Sequence, residues 1–337
     1  MKDIIAVIGS GSWGTAMAHL ISENGYPVRL WSYQSYETEN LKRDRENKEF
    51  LPGVILNDKV SFSSDMQACM KDAKVVITAV PSHTMRQTAK SMAPFYRTGQ
   101  IVVNISKGIE EGTYKRLSEV IKDEIKGVHL GVMSGPSHAE EVGRGIPTTN
   151  VVSFEKEEDA KYIQDIFMSP NFRIYTNTDM IGVEIGGSLK NVIALCAGIS
   201  DGLGLGDNSK AALMTRGLSE MSRLGVKMGA KAQTFAGLSG VGDLIVTCTS
   251  MHSRNRRAGI LIGQGKPLDK VLEEVHMVVE GVRTTKAAYG LAEKYGIEMP
   301  IVKQAYAVLF EGKSPRDAVL DLMTRDKKTE DSGDWYQ

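Results

Sequence analysis

The segment that most constrains the structure is Ile4-Ile5-Ala6-Val7-Ile8-Gly9-Ser10-Gly11-Ser12-Trp13-Gly14, near the start of this 337-residue chain. Its apolar first half is typical of a buried strand, and residues 15–22 predict a helix that ends near Gly25. Residues 27–31 form another apolar run and predict a second strand. A glycine turn between a strand and a helix, followed by another strand, is the context in which G-x-G-x-x-G indicates a dinucleotide site.

Each glycine of this turn has its own role in that interpretation. Gly9 allows the sharp turn, Gly11 lets the backbone approach a pyrophosphate, and Gly14 lets the helix pack close to the strand. Backbone N–H groups at the start of the helix would then bind the phosphates. The alternative is a tight structural turn that binds no ligand.

The composition argues against several classes of protein. The length suits two domains, and 42% hydrophobic residues are enough to build full cores. The 41 basic and 41 acidic side chains cancel, which argues against nucleic acid or an anionic membrane as the main partner. We therefore expect no nucleic-acid partner and no membrane partner.

The cysteines, the first residues and the lengths of the apolar runs bear on the cellular compartment. Cys69, Cys196 and Cys248 are far apart and lack C-x-x-C spacing, which argues against a disulfide framework or a zinc site. We find no Ser-His-Asp arrangement and no metal-ligand spacing, so we expect a site without metal. The chain enters a strand directly after Met1-Lys2-Asp3, and no apolar run reaches the roughly 20 residues that a membrane helix needs. These features predict a cytoplasmic protein.

The first half of the chain alternates strand-like and helix-like segments. Continuous apolar runs at 74–80, 101–106 and 128–133 are typical of buried parallel strands, and runs at 149–153 and 172–175 predict later strands. This alternation predicts an α/β fold with an N-terminal Rossmann-like, mostly parallel sheet.

The second half changes character near Asp179, because helical periodicity replaces the strand-like runs. It predicts a C-terminal all-helical domain. The expected division is a dinucleotide-binding domain over residues 1–180 and a helical substrate and catalytic domain over residues 181–330. The expected helices cover 183–200, 207 or 208 to about 228, 256–263, 267–275, 281–295, 300–311 and 314–324.

Polar turns follow the predicted strands directly, at residues 9–14, 81–82, 106–108 and 134–137. Ligands of parallel sheets bind at the carboxyl ends of the strands, so we expect these turns to line one crevice. A crevice between two domains is a common place for a small-molecule site.

The second strand ends in Trp31-Ser32-Tyr33-Gln34. An acid there would indicate NAD by binding the ribose hydroxyls, and a basic residue would indicate NADP by binding the 2′-phosphate. Neither stands at this point, and Lys42 and Arg43 are farther along. The sequence therefore leaves the choice between NAD and NADP open.

Lys190 is the candidate catalytic residue. It lies in Gly186-Gly187-Ser188-Leu189-Lys190-Asn191-Val192, within an otherwise apolar helix. One interpretation is a lysine that extends from a core helix to water. The other is a proton donor, and the two glycines support it. Each costs the helix about 1 kcal/mol, and that cost makes sense where a ligand or another backbone must come close.

A second candidate segment runs from residue 237 to residue 257. A glycine turn with one acid, Asp243, precedes Thr247 and then Ser253-Arg254-Asn255-Arg256-Arg257. Hydroxyl, guanidinium and amide groups in a row suit a phosphate and the hydroxyls of a ligand. The alternative is a solvated basic loop that begins a helix, which we favour for the last two arginines.

These motifs together resemble the bacterial-type NAD(P)-dependent glycerol-3-phosphate dehydrogenases over almost the whole chain. The resemblance depends on all the motifs occurring in the right order. The motifs are Gly9-Ser10-Gly11-Ser12-Trp13-Gly14-Thr15-Ala16, Val80-Pro81-Ser82, Ser106-Lys107-Gly108, Ser134-Gly135-Pro136-Ser137-His138-Ala139, Gly187-Ser188-Leu189-Lys190-Asn191-Val192, Thr215-Arg216-Gly217-Leu218-Ser219-Glu220-Met221, Gly240-Val241-Gly242-Asp243-Leu244, Ser253-Arg254-Asn255 and Val279-Glu280-Gly281.

The resemblance implies an oxidoreductase that interconverts dihydroxyacetone phosphate and sn-glycerol 3-phosphate with NAD(P)H. It also implies a homodimer that supplies glycerol 3-phosphate for phospholipid synthesis, with Lys190 as the general acid/base. The cofactor contacts that it implies are Gly9, Gly11, Ser12, Trp13, Gly14, Tyr33, Lys107, Ala139, Arg254, Val278 and Glu280. The substrate contacts that it implies are Lys107, Gly135, Ser137, Lys190, Asp243, Ser253, Arg254 and Asn255.

This hypothesis requires Lys190 to lose its proton near neutral pH. An ordinary lysine has a pKa of about 10.4, and burial together with a cation such as Lys107 would lower it. Asp243 would orient the ammonium group. Two other functions stay open, namely a related two-domain hydroxy-acid dehydrogenase and a dinucleotide-binding sensor without turnover. The cluster at 253–255 argues against the first, and a lysine in a glycine-thinned helix argues against the second.

Overall fold

The computed structural model of the protein describes residues 2–327 and 329–330. Its contacts divide the chain into two compact units. In the described chain, unit 1 covers the residues up to Ser106 and Leu117–Met180, and unit 2 covers Lys107–Arg116 and the residues from Ile181 onward. The domain boundary expected from the sequence assigns Lys107–Arg116, here called the strap, to the first domain, whereas the structure places it with the helices of unit 2.

Unit 1 is built on a sheet of buried, apolar strands. Val7, Val76 and Val102 lie on its central strands and are fully buried, as the continuous apolar runs predict. The strands are β1 (Ile4–Ile8), β2 (Val28–Trp31), β3 (Glu46–Asn47), β4 (Leu51–Ile55), β5 (Val60–Ser63), β6 (Ala73–Thr78), β7 (Ile101–Asn104), β8 (His129–Ser134), β9 (Thr148–Ser153) and β10 (Phe172–Asn177).

Eight of these strands form one sheet in the order β10-β9-β8-β7-β6-β1-β2-β5, and β3 pairs with β4 in a separate hairpin. The pairs within the large sheet are parallel except for β8 with β9. Helices connect the strands and cover the sheet. They are α1 (Ser12–Glu23), α2 (Ser35–Asp44), α3 (Met66–Met70), α4 (Met85–Met92), α5 (Leu117–Glu124), α6 (Ala139–Gly143) and α7 (Glu157–Phe167).

The strand register aligns the carboxyl ends of the central strands. Ile8 of β1 lies opposite Trp31 of β2 and Thr78 of β6, and Thr78 lies opposite Asn104 of β7. The ladder continues into the turns, since Gly9 N–H donates to the carbonyl oxygen of Trp31 at 3.1 Å. The polar turns that follow β1, β2 and β6 therefore begin at the same edge of the sheet.

Unit 2 is helical, as predicted. Its core packs around α8, whose Leu189, Val192 and Ile193 are buried against neighbouring helices. The helices are α8 (Met180–Gly202), α9 (Asp207–Lys227), α10 (Ala232–Phe235), α11 (Asp243–Thr249), α12 (Arg254–Gly263), α13 (Leu268–Val275), α14 (Glu280–Tyr295), α15 (Pro300–Phe310) and α16 (Pro315–Met323).

The sequence predicts no apolar run long enough to cross a membrane. In the structure, however, helix α8 is long and apolar enough to do so by length and composition. Within its most apolar window, 83% of the helix is buried inside the protein. Packing against other helices therefore accounts for its apolar character.

The predicted α/β class with a helical second domain is confirmed. The seven expected strands occur, with ends that differ from the prediction by one or two residues, and α1 begins at Ser12 rather than at residue 15. The prediction missed β5 and the β3–β4 hairpin. Residues 60–63, Val-Ser-Phe-Ser, are too short and too polar to form a continuous apolar run, because β5 is an edge strand with alternating burial.

Candidate active site

The glycine turn lies between β1 and α1, and its three glycines have different surroundings. Gly9 has a φ of +119°, and a Cβ there would lie 2.6 Å from the carbonyl oxygen of Ala79. A Cβ on Gly14 would overlap the carbonyl oxygen of Gly9, so a side chain would push α1 away from β1. A Cβ on Gly11 would meet no atom within 4 Å. The space beside Gly11 can therefore accept a ligand.

The residues at the start of α1 fit a pyrophosphate. Gly11 is the N-cap with extended backbone, and no side chain of the described chain caps the first turn. Main-chain N–H groups of such a turn bind anions. Ser12 is buried, and Trp13 packs against the core of unit 1, so both side chains attach the turn to unit 1. Tyr33, a predicted cofactor contact, is 77% exposed and packs edge-on against Trp31.

Three further predicted residues follow β8 in unit 1. Gly135 has a φ of +145°, and a Cβ there would overlap the side-chain oxygen of Asn150. The Ser137 hydroxyl donates to the carbonyl oxygen of Gly135 at 2.8 Å. Ala139 is the first residue of α6, and α6 packs against α1. The turn after β8 is thus a fixed structure beside the helix that begins at the glycine turn.

Unit 2 contains a cluster in which Lys107 and Lys190 both pair with the buried carboxylate of Asp243, here called the lysine cluster. Asp243 is fully buried at the start of α11, and its Oδ2 accepts from Lys107 Nζ at 2.7 Å. Its Oδ1 accepts from Lys190 Nζ, and Lys190 Nζ also donates to Thr247 Oγ1 at 2.8 Å. The Thr247 hydroxyl in turn donates to the carbonyl oxygen of Asp243 at 2.6 Å. Two acceptors therefore fix the Lys190 amine, whose side chain is 7% exposed, and leave it one further hydrogen-bonding direction.

The surroundings of Lys190 determine its protonation. Burial lowers its pKa, the Asp243 carboxylate opposes this, and the Lys107 ammonium lowers it further, so that the pKa falls to about 7. Burial acts on Asp243 in the opposite sense and would raise its pKa. The two lysines outweigh that effect and hold the pKa of Asp243 below its usual value. The cluster thus contains a permanent carboxylate and an amine that can gain or lose a proton near neutral pH.

Glycine lets the Asp243 segment approach α8. A Cβ on Gly186, one turn before Lys190, would overlap the carbonyl oxygen of Ser239, which lies four residues before Asp243. Residues Leu238–Gly242 form a short π-helical turn that leads into α11. The sequence prediction that glycine allows another backbone to come close is therefore correct for Gly186.

The strap positions Lys107 on α8. The Ser188 hydroxyl, two residues before Lys190, accepts from Gly108 N–H at 3.0 Å and lies 2.7 Å from the carbonyl oxygen of Glu184. Buried Glu184 forms an ion pair with the half-buried Arg116 at the other end of the strap, at 2.6 Å. Both ends of the strap are therefore attached to the helix that carries Lys190.

The predicted substrate residues near α12 have roles in the packing of unit 2. Ser253 caps α12, since its Oγ accepts from Arg256 N–H at 3.2 Å. Asn255 Nδ2 donates to Asn191 Oδ1 at 2.9 Å, and its Oδ1 accepts from Gly281 N–H at 2.8 Å. Asn255 thus joins three helices, and only one of its N–H groups is left for a ligand. Arg254 begins α12, Glu280 begins α14, and Val278 precedes α14.

The sequence interpretation assigned no role to Thr247 beyond a hydroxyl near Asp243, and it did not consider Ser188 as a support. The signal for Thr247 was its position four residues after Asp243, since residues at that spacing share a helix face. Nothing local could identify Ser188, because its partner Gly108 is distant in the sequence.

A cavity without any of the predicted site residues lies elsewhere in unit 2. It has a volume of about 970 Å³ and is lined by residues of α9, α15 and α16, among them the buried Glu220. The carboxylate of Glu220 accepts from Ile301 N–H at 2.8 Å, at the start of α15. None of the predicted site residues lines this cavity. Among the described residues, no group of three or more His, Cys, Asp or Glu side chains could hold a metal ion.

Comparison with known proteins places this chain in a family. The family model for the NAD-dependent glycerol-3-phosphate dehydrogenase N-terminus matches residues 4–160, and the model for the C-terminus matches residues 179–320. The chain belongs to this dehydrogenase family. The match spans both the glycine turn of unit 1 and the lysine cluster of unit 2.

Individual glycerol-3-phosphate dehydrogenases are similar over their full lengths. The [NAD(P)+] enzyme of Moorella thermoacetica is 56% identical over 99% of this chain and 100% of its own length. That of Fusobacterium nucleatum is 53% identical over 97% of this chain and 98% of its own. The crystal structure of the enzyme from Coxiella burnetii has a TM-score of 0.93 and 37% identity, over 96% of this chain and 99% of its own.

Proposed function

We propose that this chain catalyses the reversible reduction of dihydroxyacetone phosphate to sn-glycerol 3-phosphate with NADH or NADPH. The observation that carries the proposal is the Lys190 amine, buried on Asp243 and Thr247 with a pKa of about 7. A general acid/base is most effective when its pKa lies near the working pH. Membership of the glycerol-3-phosphate dehydrogenase family supplies the substrate.

Lys190 would act at the C2 oxygen of the substrate. The nicotinamide, when bound, supplies or accepts the hydride at C2. In reduction the Lys190 ammonium donates a proton to the oxygen as negative charge develops, and in oxidation the neutral amine removes it. Asp243 and Thr247 hold the amine in place, and the Lys107 ammonium favours the neutral form of Lys190.

The dinucleotide would bind at the glycine turn of unit 1, where the start of α1 and the space beside Gly11 fit a pyrophosphate. Ser12 and Trp13 belong to this turn. Tyr33, Ala139, Arg254, Val278 and Glu280 stay proposed cofactor contacts.

The substrate phosphate would bind to Arg254 and Ser253 at the start of α12, since a guanidinium group and a hydroxyl suit a phosphate. Gly135, Ser137 and Asn255 stay proposed substrate contacts. Arg254→Ala should mainly raise KM for dihydroxyacetone phosphate, and an unchanged KM would remove Arg254 from the site.

The experiment that tests the proposal follows nicotinamide absorbance with purified protein and a panel of carbonyl substrates. We expect NADH or NADPH oxidation with dihydroxyacetone phosphate and little with dihydroxyacetone, which lacks the phosphate. Comparable rates with a 2-oxo acid would favour the hydroxy-acid dehydrogenase alternative. Cofactor binding without any turnover would favour a sensor.

We also propose that the protein is a cytoplasmic homodimer that supplies glycerol 3-phosphate for phospholipid synthesis. Family membership supports this role. Sedimentation velocity would test the dimer, and a monomer at micromolar concentration would contradict it.

A further inference from the structure

The segment after β2 lies directly beside the glycine turn. Residue Ile8 is opposite Trp31, and Gly9 N–H donates to the carbonyl oxygen of Trp31 at 3.1 Å. In dinucleotide-binding folds this is where the adenosine ribose binds, and the groups there distinguish a 2′-hydroxyl from a 2′-phosphate. The structure therefore bears on a choice that the sequence alone left open.

Glu37 brings a carboxylate to this point. It lies in the first turn of α2, and its Oε2 accepts from the Ser10 hydroxyl at 3.0 Å. Ser10 itself is held in place, because its carbonyl oxygen accepts from Asn47 Nδ2 at 2.6 Å and from Thr15 Oγ1 at 3.1 Å. The carboxylate is thus attached to a rigid part of the glycine turn rather than extended into water.

The cations of the neighbouring segments are occupied elsewhere. Residues 32–37 include no lysine or arginine. On α2, Lys42 pairs with Glu39 at 2.9 Å and Arg43 pairs with Asp44 at 2.8 Å. Arg45 donates to the carbonyl oxygens of residues 56, 57 and 60. Within the described chain Glu37 has no ion-pair partner, so its charge is not neutralised by the protein.

From these contacts we propose that Glu37 is a specificity-determining residue that makes this enzyme prefer NADH to NADPH. The inference rests on the proposed binding of the dinucleotide at the glycine turn. The carboxylate can accept a hydrogen bond from a ribose hydroxyl, whereas it repels a 2′-phosphate, which carries close to two negative charges and finds no cation there.

The test is a fluorescence titration of the protein with NADH and with NADPH, in the absence of any triose. We expect wild-type protein to bind NADH at least about tenfold more tightly, a ratio that corresponds to about 1.4 kcal/mol. Glu37→Gln should bring the two dissociation constants close together, mainly by tightening NADPH. Glu158→Gln is the matched control, because Glu158 is an exposed glutamate in the first turn of α7, another helix of unit 1, and it should leave the ratio unchanged.

Equal binding of the two cofactors by the wild-type protein would overturn the proposal, and so would a ratio that Glu37→Gln leaves unchanged. The wild-type ratio needs no variant, so it decides even if Glu37→Gln fails to fold. In wild-type protein, added salt should reduce the ratio by screening the repulsion, and a ratio independent of salt would also count against Glu37. Selective NADH binding without oxidation by dihydroxyacetone phosphate would support the preference and refute the proposed reaction.

Discussion

The glycine turn of unit 1 and the lysine cluster of unit 2 are built in opposite ways. The turn uses consecutive residues, and each glycine has a steric reason that concerns its immediate neighbours. The cluster brings together Lys107, Lys190 and Asp243 from three separate segments. A glycine turn can therefore be specified locally, whereas the protonation of a buried amine depends on which distant side chains the fold places around it.

Asp243→Asn should produce the largest effect of the following changes. It replaces the carboxylate that both lysines share with a neutral amide, so neither lysine keeps a negatively charged acceptor. We expect kcat to fall by about 10²- to 10⁴-fold, the usual contribution of a positioned acid/base, while NADH binding is retained.

Asp201→Asn is the matched control for Asp243→Asn. Asp201 also pairs with two cations in unit 2, Lys210 at 2.6 Å and Arg256 at 2.8 Å. A similar loss of kcat in Asp201→Asn would mean that general destabilisation of unit 2, rather than the cluster, explains the effect.

Gly14→Ala and Gly11→Ala test whether the turn is specified locally. The first substitution should cost roughly 1–3 kcal/mol of stability, because its methyl group overlaps the Gly9 carbonyl. The second should leave the melting temperature unchanged and weaken NADH binding by about tenfold or more, since its methyl group enters open space that a pyrophosphate needs. Thermal melts and titrations separate the two, and normal NADH binding by Gly11→Ala would contradict the assigned site.

Lys107→Met tests how partners set the charge of Lys190. The Lys107 ammonium lowers the pKa of Lys190, so its removal should raise that pKa. In the proposed mechanism, oxidation of glycerol 3-phosphate needs the neutral amine. The rising limb of its pH profile should therefore move to higher pH by about one unit, which lowers kcat at pH 7 about fivefold. Reduction needs the ammonium and should persist to higher pH. Limbs that stay at the wild-type pH would show that Lys107 does not control Lys190.

Ser188→Ala should have the smallest effect, because it acts on the cluster only through the strap. Without the hydroxyl, the Gly108 N–H loses its acceptor and Lys107 is held less firmly on Asp243. We expect a kcat several-fold lower, in the range of one lost hydrogen bond of about 1 kcal/mol, with a pH limb shifted in the direction of Lys107→Met.

Ser200→Ala provides the control for Ser188→Ala. Ser200 is also buried on α8, but its hydroxyl has no hydrogen-bond partner in the described chain. Equal effects of the two serine substitutions on the pH limb would contradict a positioning role for Ser188.

Much of the fold was readable from the sequence, and the reason is physical. Buried parallel strands such as β1 and β6 are continuous apolar runs, so their burial is visible without knowledge of their partners. The edge strand β5 and the strap were not readable, because short segments take their structure from neighbours that are distant in the chain.

The same distinction between local and distant signals applies to the candidate site. Lys190 and Asp243 were found from their glycine-rich segments, which give local signals, and family resemblance supplied their roles. The Lys190–Asp243–Thr247 contacts and the attachment of Ser188 to Gly108 exist only once helices pack. Glu37 was overlooked because it lies a few residues beyond the end of β2, where the acid was expected.

Chemical rescue of Lys190→Ala tests most directly the claim that the Lys190 amine transfers the proton. The substitution removes the amine, and the account predicts that turnover of glycerol 3-phosphate falls by about 10²-fold or more while NADH still binds. Added methylamine should restore kcat in proportion to the concentration of its neutral form. Tetramethylammonium, which has no N–H proton and no free lone pair on nitrogen, should not. A Lys190→Ala protein that turns over at the wild-type rate without any added amine would contradict the account.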